Sequence, residues 1–122
     1  MPDDLIKDNL QSILDSIELI EIRFAEIDKS DDFVMDANGM LVLDSICMRL
    51  QIIGELLKKI DKINPTIWER YPQIQWPHIM KLRDIISHHY HQVDHEIIYD
   101  ICQRNLPDLK TVVQQMAKNH TT

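Results

Sequence analysis

The stretch Leu43–Ile60, with the sequence LDSICMRLQIIGELLKKI, decides the fold that we expect for this chain. Its apolar residues recur at steps of three and four, at Leu43, Ile46, Leu50, Ile53, Leu57 and Ile60. This spacing puts them on one stripe of an α-helix, and such a stripe becomes stable when another helix covers it. We therefore predict a helix over residues 40–62 that packs antiparallel on a second amphipathic helix.

The partner helix is predicted over residues 3–29, where the same periodicity recurs. The apolar positions there are Ile6, Leu10, Ile13, Leu14, Ile17, Ile20, Phe24 and Ile27, with charged residues on the other side. The polar run Ser30–Gly39 ends this helix, and Asn38-Gly39 is a turn signal.

The second half of the chain is punctuated by prolines. Asn64-Pro65 predicts a break, residues 65–70 a short helical turn, and Pro77 the first turn of a third helix that runs to about Tyr90. Asp94 is a suitable N-cap for a fourth segment over residues 95–118, which Pro107 must kink or split. Its inward residues are predicted to be Ile97, Ile98, Ile101, Cys102, Leu109, Val112, Val113 and Met116. These segments predict an all-α, four- to five-helix up-and-down bundle that forms one domain over residues 1–122.

Composition excludes several classes of protein. The net charge of −7, from 20 acidic and 13 basic residues, argues against an extended nucleic-acid-binding surface, although a small RNA-contacting patch is compatible with it. No apolar run is long enough to span a membrane, and the acidic start Met1-Pro2-Asp3-Asp4 is unlike a signal peptide, so we expect a cytoplasmic protein. Cys47 and Cys102 lie in apolar runs without CxxC spacing, which indicates reduced core residues.

The stretch Arg83–Tyr90, with the sequence RDIISHHY, carries the candidate chemistry. It combines a permanent cation, Arg83, with a titratable imidazole, His88, and a phenolic hydroxyl, Tyr90, a set suited to holding or cutting a phosphodiester. On a regular helix Arg83 and Tyr90 share a stripe, whereas His88 is displaced from Arg83 by about 140°. Either the helix deforms near His88, or two copies of the chain assemble one site across a two-fold interface.

Other interpretations of these residues remain open. The motif residues also fit an ordinary polar helix end. His91 and His95 have ligand-like spacing, but a break at Asp94 would separate them, and we expect no metal site and no cofactor. Trp68, Tyr71 and Trp76 fit a base-stacking platform less well than a plug at the end of the bundle.

A family resemblance rests on the motif Arg-x4-His-x-Tyr at residues 83–90. The flanking residues 71–76, 79–80, 93–94 and 106–109, together with Ile53-Gly54-Glu55, extend the likeness over roughly residues 40–110. In these features the chain resembles the HEPN superfamily. It is most similar to the HepT-like toxins that are encoded beside a minimal nucleotidyltransferase.

The resemblance implies a homodimeric toxin of a type VII-like toxin–antitoxin pair. It implies a metal-independent endoribonuclease that acts on RNA, with transfer RNA as the substrate class, through a site shared by two protomers. Arg83 would steady the scissile phosphate, and His88 would serve as acid–base or orienting group, with Asp84, Ser87 and His89 in support. A cognate nucleotidyltransferase antitoxin would adenylylate Tyr90 and so block cleavage.

Two departures from the family pattern motivate a rival function. Asp84 stands where the family usually has Asn, and Lys81 where it commonly has a small residue. Asp84 could neutralise Arg83 through a salt bridge, or accept a hydrogen bond from His88. The rival is therefore a catalytically silent HEPN subunit that binds or regulates a partner nucleotidyltransferase.

Overall fold

A computed structural model of the protein describes residues 2–88 and 94–120, without the side chains of residues 85, 87 and 88. Most of these residues are helical, and none of them lies in a β-strand. The α-helices are α1 (Pro2–Phe24), α2 (Ala37–Ile63), α3 (Trp76–Met80), α4 (Leu82–His88), α5 (His95–Asp100) and α6 (Leu106–Asn119). The predicted all-α helical bundle is confirmed.

An isoleucine- and leucine-rich seam between α1 and α2 forms the centre of the core. Ile13, Ile17 and Ile20 on α1, and Ile46 and Ile53 on α2, are completely buried. Helix α6 also packs on α1, while α3 and α4 pack on α2. Among the helices described, none combines the length and apolarity that crossing a bilayer requires.

Helix α1 is shorter than its apolar periodicity suggested, because it ends at Phe24 rather than near residue 29. The carboxylate of Asp32 accepts hydrogen bonds from the backbone N–H groups of Asp28, at 2.9 Å, and Lys29, at 3.2 Å. A side chain that satisfies these donors stabilises a turn in place of further helix. Ile27 is nevertheless buried, so it joins the core from the turn.

Helix α2 begins earlier than predicted and includes Asn38-Gly39, so the interpretation of this pair as a turn was wrong. Asp36 is the N-cap, and its side chain accepts a hydrogen bond of 2.7 Å from the N–H of Gly39. A carboxylate at this position satisfies one of the free donors of the first turn. A Cβ at residue 39 would overlap the carbonyl oxygen of Asp32, which explains a glycine inside a helix.

The predicted third helix is interrupted. Pro77 does lie in the first turn of α3, but α3 ends at Met80, and Lys81 forms a turn before α4 begins at Leu82. The backbone carbonyls of Ile79 and Met80 lie against Gly54 of α2 at this point. The break between α3 and α4 thus lies where their backbone contacts the backbone of α2 at Gly54.

The C-terminal segment confirms both of its predicted signals. Asp94 is the N-cap of α5 and accepts a 2.8 Å hydrogen bond from the N–H of Glu96. Pro107 splits the segment, because a proline lacks the N–H that helical bonding requires, and a π-helical turn at Ile101–Asn105 precedes it. Ile97 was wrongly assigned to the inward face and is 57% exposed.

The aromatic connector closes one end of the bundle, as expected. Trp76 and Tyr71 are buried, and the Trp76 Nε1–H donates to the backbone oxygen of Tyr71 at 2.8 Å. The rings of Trp68 and Trp76 lie 4.6 Å apart, and the Trp68 Nε1–H donates to Asp61 at 2.7 Å. Rings that are packed and hydrogen-bonded in this way belong to the core and leave no base-stacking platform.

The buried seam can be tested with two isoleucines of α1 that differ in exposure. We expect Ile20→Ala to lower the free energy of unfolding by about 2–5 kcal/mol, because it leaves a cavity in a closely packed core. Ile20 is completely buried, whereas Ile22 is 63% exposed. Ile22→Ala should therefore change stability by less than about 0.5 kcal/mol. Urea unfolding followed by circular dichroism measures both, and equal losses would contradict the packing.

Candidate functional site

The helix that carries Arg83 lies unusually close to α2. A Cβ atom built on Gly54 would stand 3.1 Å from the carbonyl oxygen of Ile79 and 3.4 Å from the backbone nitrogen of Arg83. These neighbours are backbone atoms, which cannot rotate away as a side chain can. A glycine at this position therefore allows the backbone that leads into α4 to rest directly on α2.

An ion pair also joins α4 to α2. The Lys58 Nζ lies 3.2 Å from the Asp84 Oδ2, and the two side chains are 38% and 52% exposed. A pair with this exposure adds only about 0.2–1 kcal/mol of stability. Its main effect is on the orientation of the Asp84 side chain, because the pair keeps the carboxylate beside the Lys58 ammonium group of α2.

The guanidinium of Arg83 is exposed, and no hydrogen bond or ion pair joins it to another residue in the described part of the chain. Of the two partners that the sequence offered for Asp84, Arg83 forms no ion pair with it, and the ion pair that the structure does give Asp84 is the one with Lys58. Lys81, one turn residue before α4, is exposed as well. Two accessible cations thus stand at the start of α4, in a chain whose net charge is −7.

The backbone of α4 is continuous from Leu82 to His88. His88 therefore follows Arg83 by about 7.5 Å of helix rise and about 140° of rotation. The helix shows no break between these two residues that would bring them to one stripe. The side chains of Ser87 and His88, and the whole of His89 and Tyr90, lie outside the described residues, as does His91.

The other two tyrosines of the chain are occupied by hydrogen bonds that stabilise the fold. The Tyr99 hydroxyl donates to the backbone oxygen of Asp28 at 3.0 Å. The Tyr71 hydroxyl accepts a 2.7 Å hydrogen bond from the side-chain amide of Asn119. Neither hydroxyl is available without loss of a native contact.

The cysteines are not candidates for nucleophilic chemistry. Both are buried and free, as the sequence predicted. Burial raises the pKa of Cys47 to about 11, with Asp44 adding to the shift, and burial raises the pKa of Cys102 to about 12. Since the thiolate is the reactive form, both thiols stay protonated and inert near neutral pH.

Lys58 is the residue of this site that sequence reasoning missed. It lies 26 residues from its partner Asp84 in the sequence. Ile53-Gly54-Glu55 entered the sequence analysis only as part of the family resemblance, which says nothing of the approach of α4 to α2 at Gly54. Both contacts depend on the packing of α4 on α2 and leave no local pattern in the sequence.

Comparison with known proteins shows which protein family the chain matches. Residues 13–116 match the family described as "Ribonuclease HepT-like". The "Probable ribonuclease HepT" of Thermococcus cleftensis is 32% identical over 113 residues, which cover 92% of this chain and 96% of that protein. A "Putative RNase" of Methanocaldococcus jannaschii is 30% identical over 121 residues, which cover 98% of this chain and 93% of that protein.

A further relative is longer than this chain. It is a "Gamma-glutamylcyclotransferase and putative RNase" of Methanocaldococcus jannaschii, 30% identical over 118 residues that cover 93% of this chain. The chain spans 50% of the length of that relative. No solved structure matches the chain.

The contact at Gly54 can be tested by inserting the same side chain on either side of α2. Gly54→Leu should lower the free energy of unfolding by about 1–2 kcal/mol, because overpacking against backbone, at the upper end of about 1–3 kcal/mol, outweighs the gain of about 0.8–1 kcal/mol in helix propensity. Lys59→Leu adds leucine to an exposed position of the same helix and should be nearly neutral. Chemical unfolding measures both. A Gly54→Leu protein as stable as the wild type would refute the close approach.

Proposed function

The chain belongs to the HepT-like ribonuclease family, and on that premise we propose that it is an endoribonuclease. The observation that carries the proposal is the exposed Arg83 guanidinium, on a helix held against α2 and without a partner in the described residues. A permanently charged guanidinium that forms no hydrogen bond or ion pair with the described residues of its own chain is suited to bind a phosphate. Lys81 adds a second exposed cation nearby.

The proposed reaction uses the RNA itself as nucleophile. The 2′-hydroxyl attacks the adjacent phosphorus and forms the new O2′–P bond, while the P–O5′ bond breaks. His88 accepts the proton of the 2′-hydroxyl or delivers one to the departing 5′ oxygen, and Arg83 stabilises the negative charge that develops on the phosphate. The products are a 2′,3′-cyclic phosphate and a 5′-hydroxyl, and the step needs no metal ion.

A dimer with a composite site accounts for the positions of the two groups. In one chain the backbone positions of Arg83 and His88 on the continuous helix α4 are about 140° apart around its axis. A two-fold axis beside α4 would bring Arg83 of one protomer to His88 of its partner, and vice versa. We therefore propose a homodimer as the active form, with transfer RNA as substrate and a toxin's role in the cytoplasm.

The ribonuclease proposal is tested by cleavage of transfer RNA in the presence of EDTA. Arg83→Ala and His88→Ala should each reduce cleavage by roughly 100-fold or more, because each removes a group that acts on the reacting phosphate. Arg70→Ala removes another exposed arginine, from a different part of the bundle, and should leave the rate unchanged. End-group analysis should find the cyclic phosphate, and light scattering should find a dimer.

A second candidate function is favoured by the acidic residue beside Arg83. Asp84 is exposed and negatively charged, which suits a catalytically silent subunit that docks a partner nucleotidyltransferase. Wild-type protein that leaves RNA intact and does not slow growth would support this second function and exclude the first. Cleavage that His88→Ala abolishes would exclude the second.

Tyr90 is the proposed site of control. The hydroxyls of Tyr71 and Tyr99 are engaged in the fold, which supports Tyr90 as the acceptor among the three tyrosines. Adenylylation of Tyr90 by a cognate nucleotidyltransferase antitoxin would add bulk and a negative charge to the motif itself, where the substrate phosphate must lie. It would therefore block cleavage.

Intact-mass analysis after co-expression with the nucleotidyltransferase tests this control. We expect the wild type to gain one adenylyl group and to lose cleavage activity, and Tyr90→Phe to remain unmodified. Tyr99→Phe is the matched control and should still be modified, because only a fold hydrogen bond is lost. A label that persists in Tyr90→Phe would place the modification elsewhere.

A further inference from the structure

Three metal-ligating side chains converge on one point, on the side of the molecule where the chain resumes after the motif. One ligand atom each from Asp31, His95 and Glu96 lies within 4.8 Å of the others. The His95 Nε2 and Asp31 Oδ1 are 3.2 Å apart. Asp31 belongs to the 3₁₀ turn Ser30–Phe33, whereas His95 and Glu96 begin α5, so 64 residues separate the first ligand from the second.

The fold positions these three residues through contacts in which their ligand atoms take no part. The Tyr99 hydroxyl of α5 donates to the backbone oxygen of Asp28, and the rings of Tyr99 and Phe24 lie 5.2 Å apart. The Asp94 carboxylate holds the N–H of Glu96 at 2.8 Å. Because these contacts already join α5 to the turn after α1, little backbone conformational entropy would be lost when an ion binds.

A simple ion pair explains only part of this arrangement. His95 and Asp31 suffice for a pair, but Glu96 brings a second carboxylate to within 4.8 Å of both. Two carboxylates at this distance repel each other, and one imidazole carries at most one compensating charge. A doubly charged cation would balance both carboxylates and use the imidazole nitrogen as a neutral ligand.

We propose that Asp31, His95 and Glu96 bind a divalent transition-metal ion of the Mn²⁺ or Zn²⁺ type. Ligands about 2.1 Å from such an ion lie about 3.4 Å from one another in tetrahedral geometry, which is close to the 3.2 Å that separates His95 and Asp31. One nitrogen and two carboxylate oxygens suit these metals, with water completing the coordination. The bound ion links the start of α5 to the turn that follows α1.

This site differs from the metal site that the histidines alone suggested. His91 and His95 were considered as a pair, but the new partner of His95 is Asp31, which no local spacing reveals. The bound ion holds the start of α5, which is where the chain continues after the motif. Its role is structural, and it does not depend on the ribonuclease proposal.

The full chain titrated with Mn²⁺ at about pH 8, where an ordinary imidazole is neutral, tests the site. Electron paramagnetic resonance of free Mn²⁺ counts the bound ions. We expect one equivalent to bind and the melting temperature to rise. Asp31→Asn and Glu96→Gln should each weaken binding at least tenfold and remove the rise in melting temperature.

Asp28→Asn is the matched control, because it makes the same change in the same loop outside the ligand set. It should bind as the wild type does, and melting without metal verifies that each variant is folded. The proposal is overturned if Mn²⁺ does not bind, or if Asp31→Asn binds it equally well. It is also overturned if Glu96→Gln has no effect, or if binding is lost only in His88→Ala or His91→Ala, since the ion would then belong to the histidine segment.

Discussion

The closeness of α2 and α4 is the constraint on which the candidate site depends. At Gly54 the two segments meet backbone to backbone, with room for a hydrogen atom but little for a methyl group. Such contact fixes distance and orientation more tightly than interdigitated side chains do, because backbone atoms have no rotamers to exchange. Arg83 is thus presented from a rigid element, although its own side chain is exposed.

Local charge, rather than net charge, determines what this surface can bind. The chain is strongly acidic, and many of its acidic residues lie on α1 and in the loop after it. At the start of α4, Asp84 is paired with Lys58, while Arg83 and Lys81 are exposed. Under the proposed function, a small cationic site in an acidic protein would favour a specific phosphate over general adhesion to nucleic acid, because affinity along a phosphate backbone requires many cations.

Several signals that act over one or two helical turns were interpreted correctly from the sequence. The apolar stripes of α1 and α2, the N-cap at Asp94 and the split at Pro107 were all predicted, since each depends on residues a few positions apart. Two of the errors concern local hydrogen bonds: the Asp32 carboxylate ends α1 early, and the N-cap at Asp36 brings Gly39 into α2. The third depends on a distant segment, because the chain turns at Lys81 where it meets Gly54.

The helical class, the central seam and the residue types of the motif follow from the amino-acid order alone, because periodicity and capping are properties of a single helix. Helix packing, by contrast, pairs Asp84 with Lys58, leaves Arg83 exposed, and brings Asp31 to His95 and Glu96. These contacts join residues that are far apart in the chain. Their formation depends on how the helices pack, which no local pattern encodes.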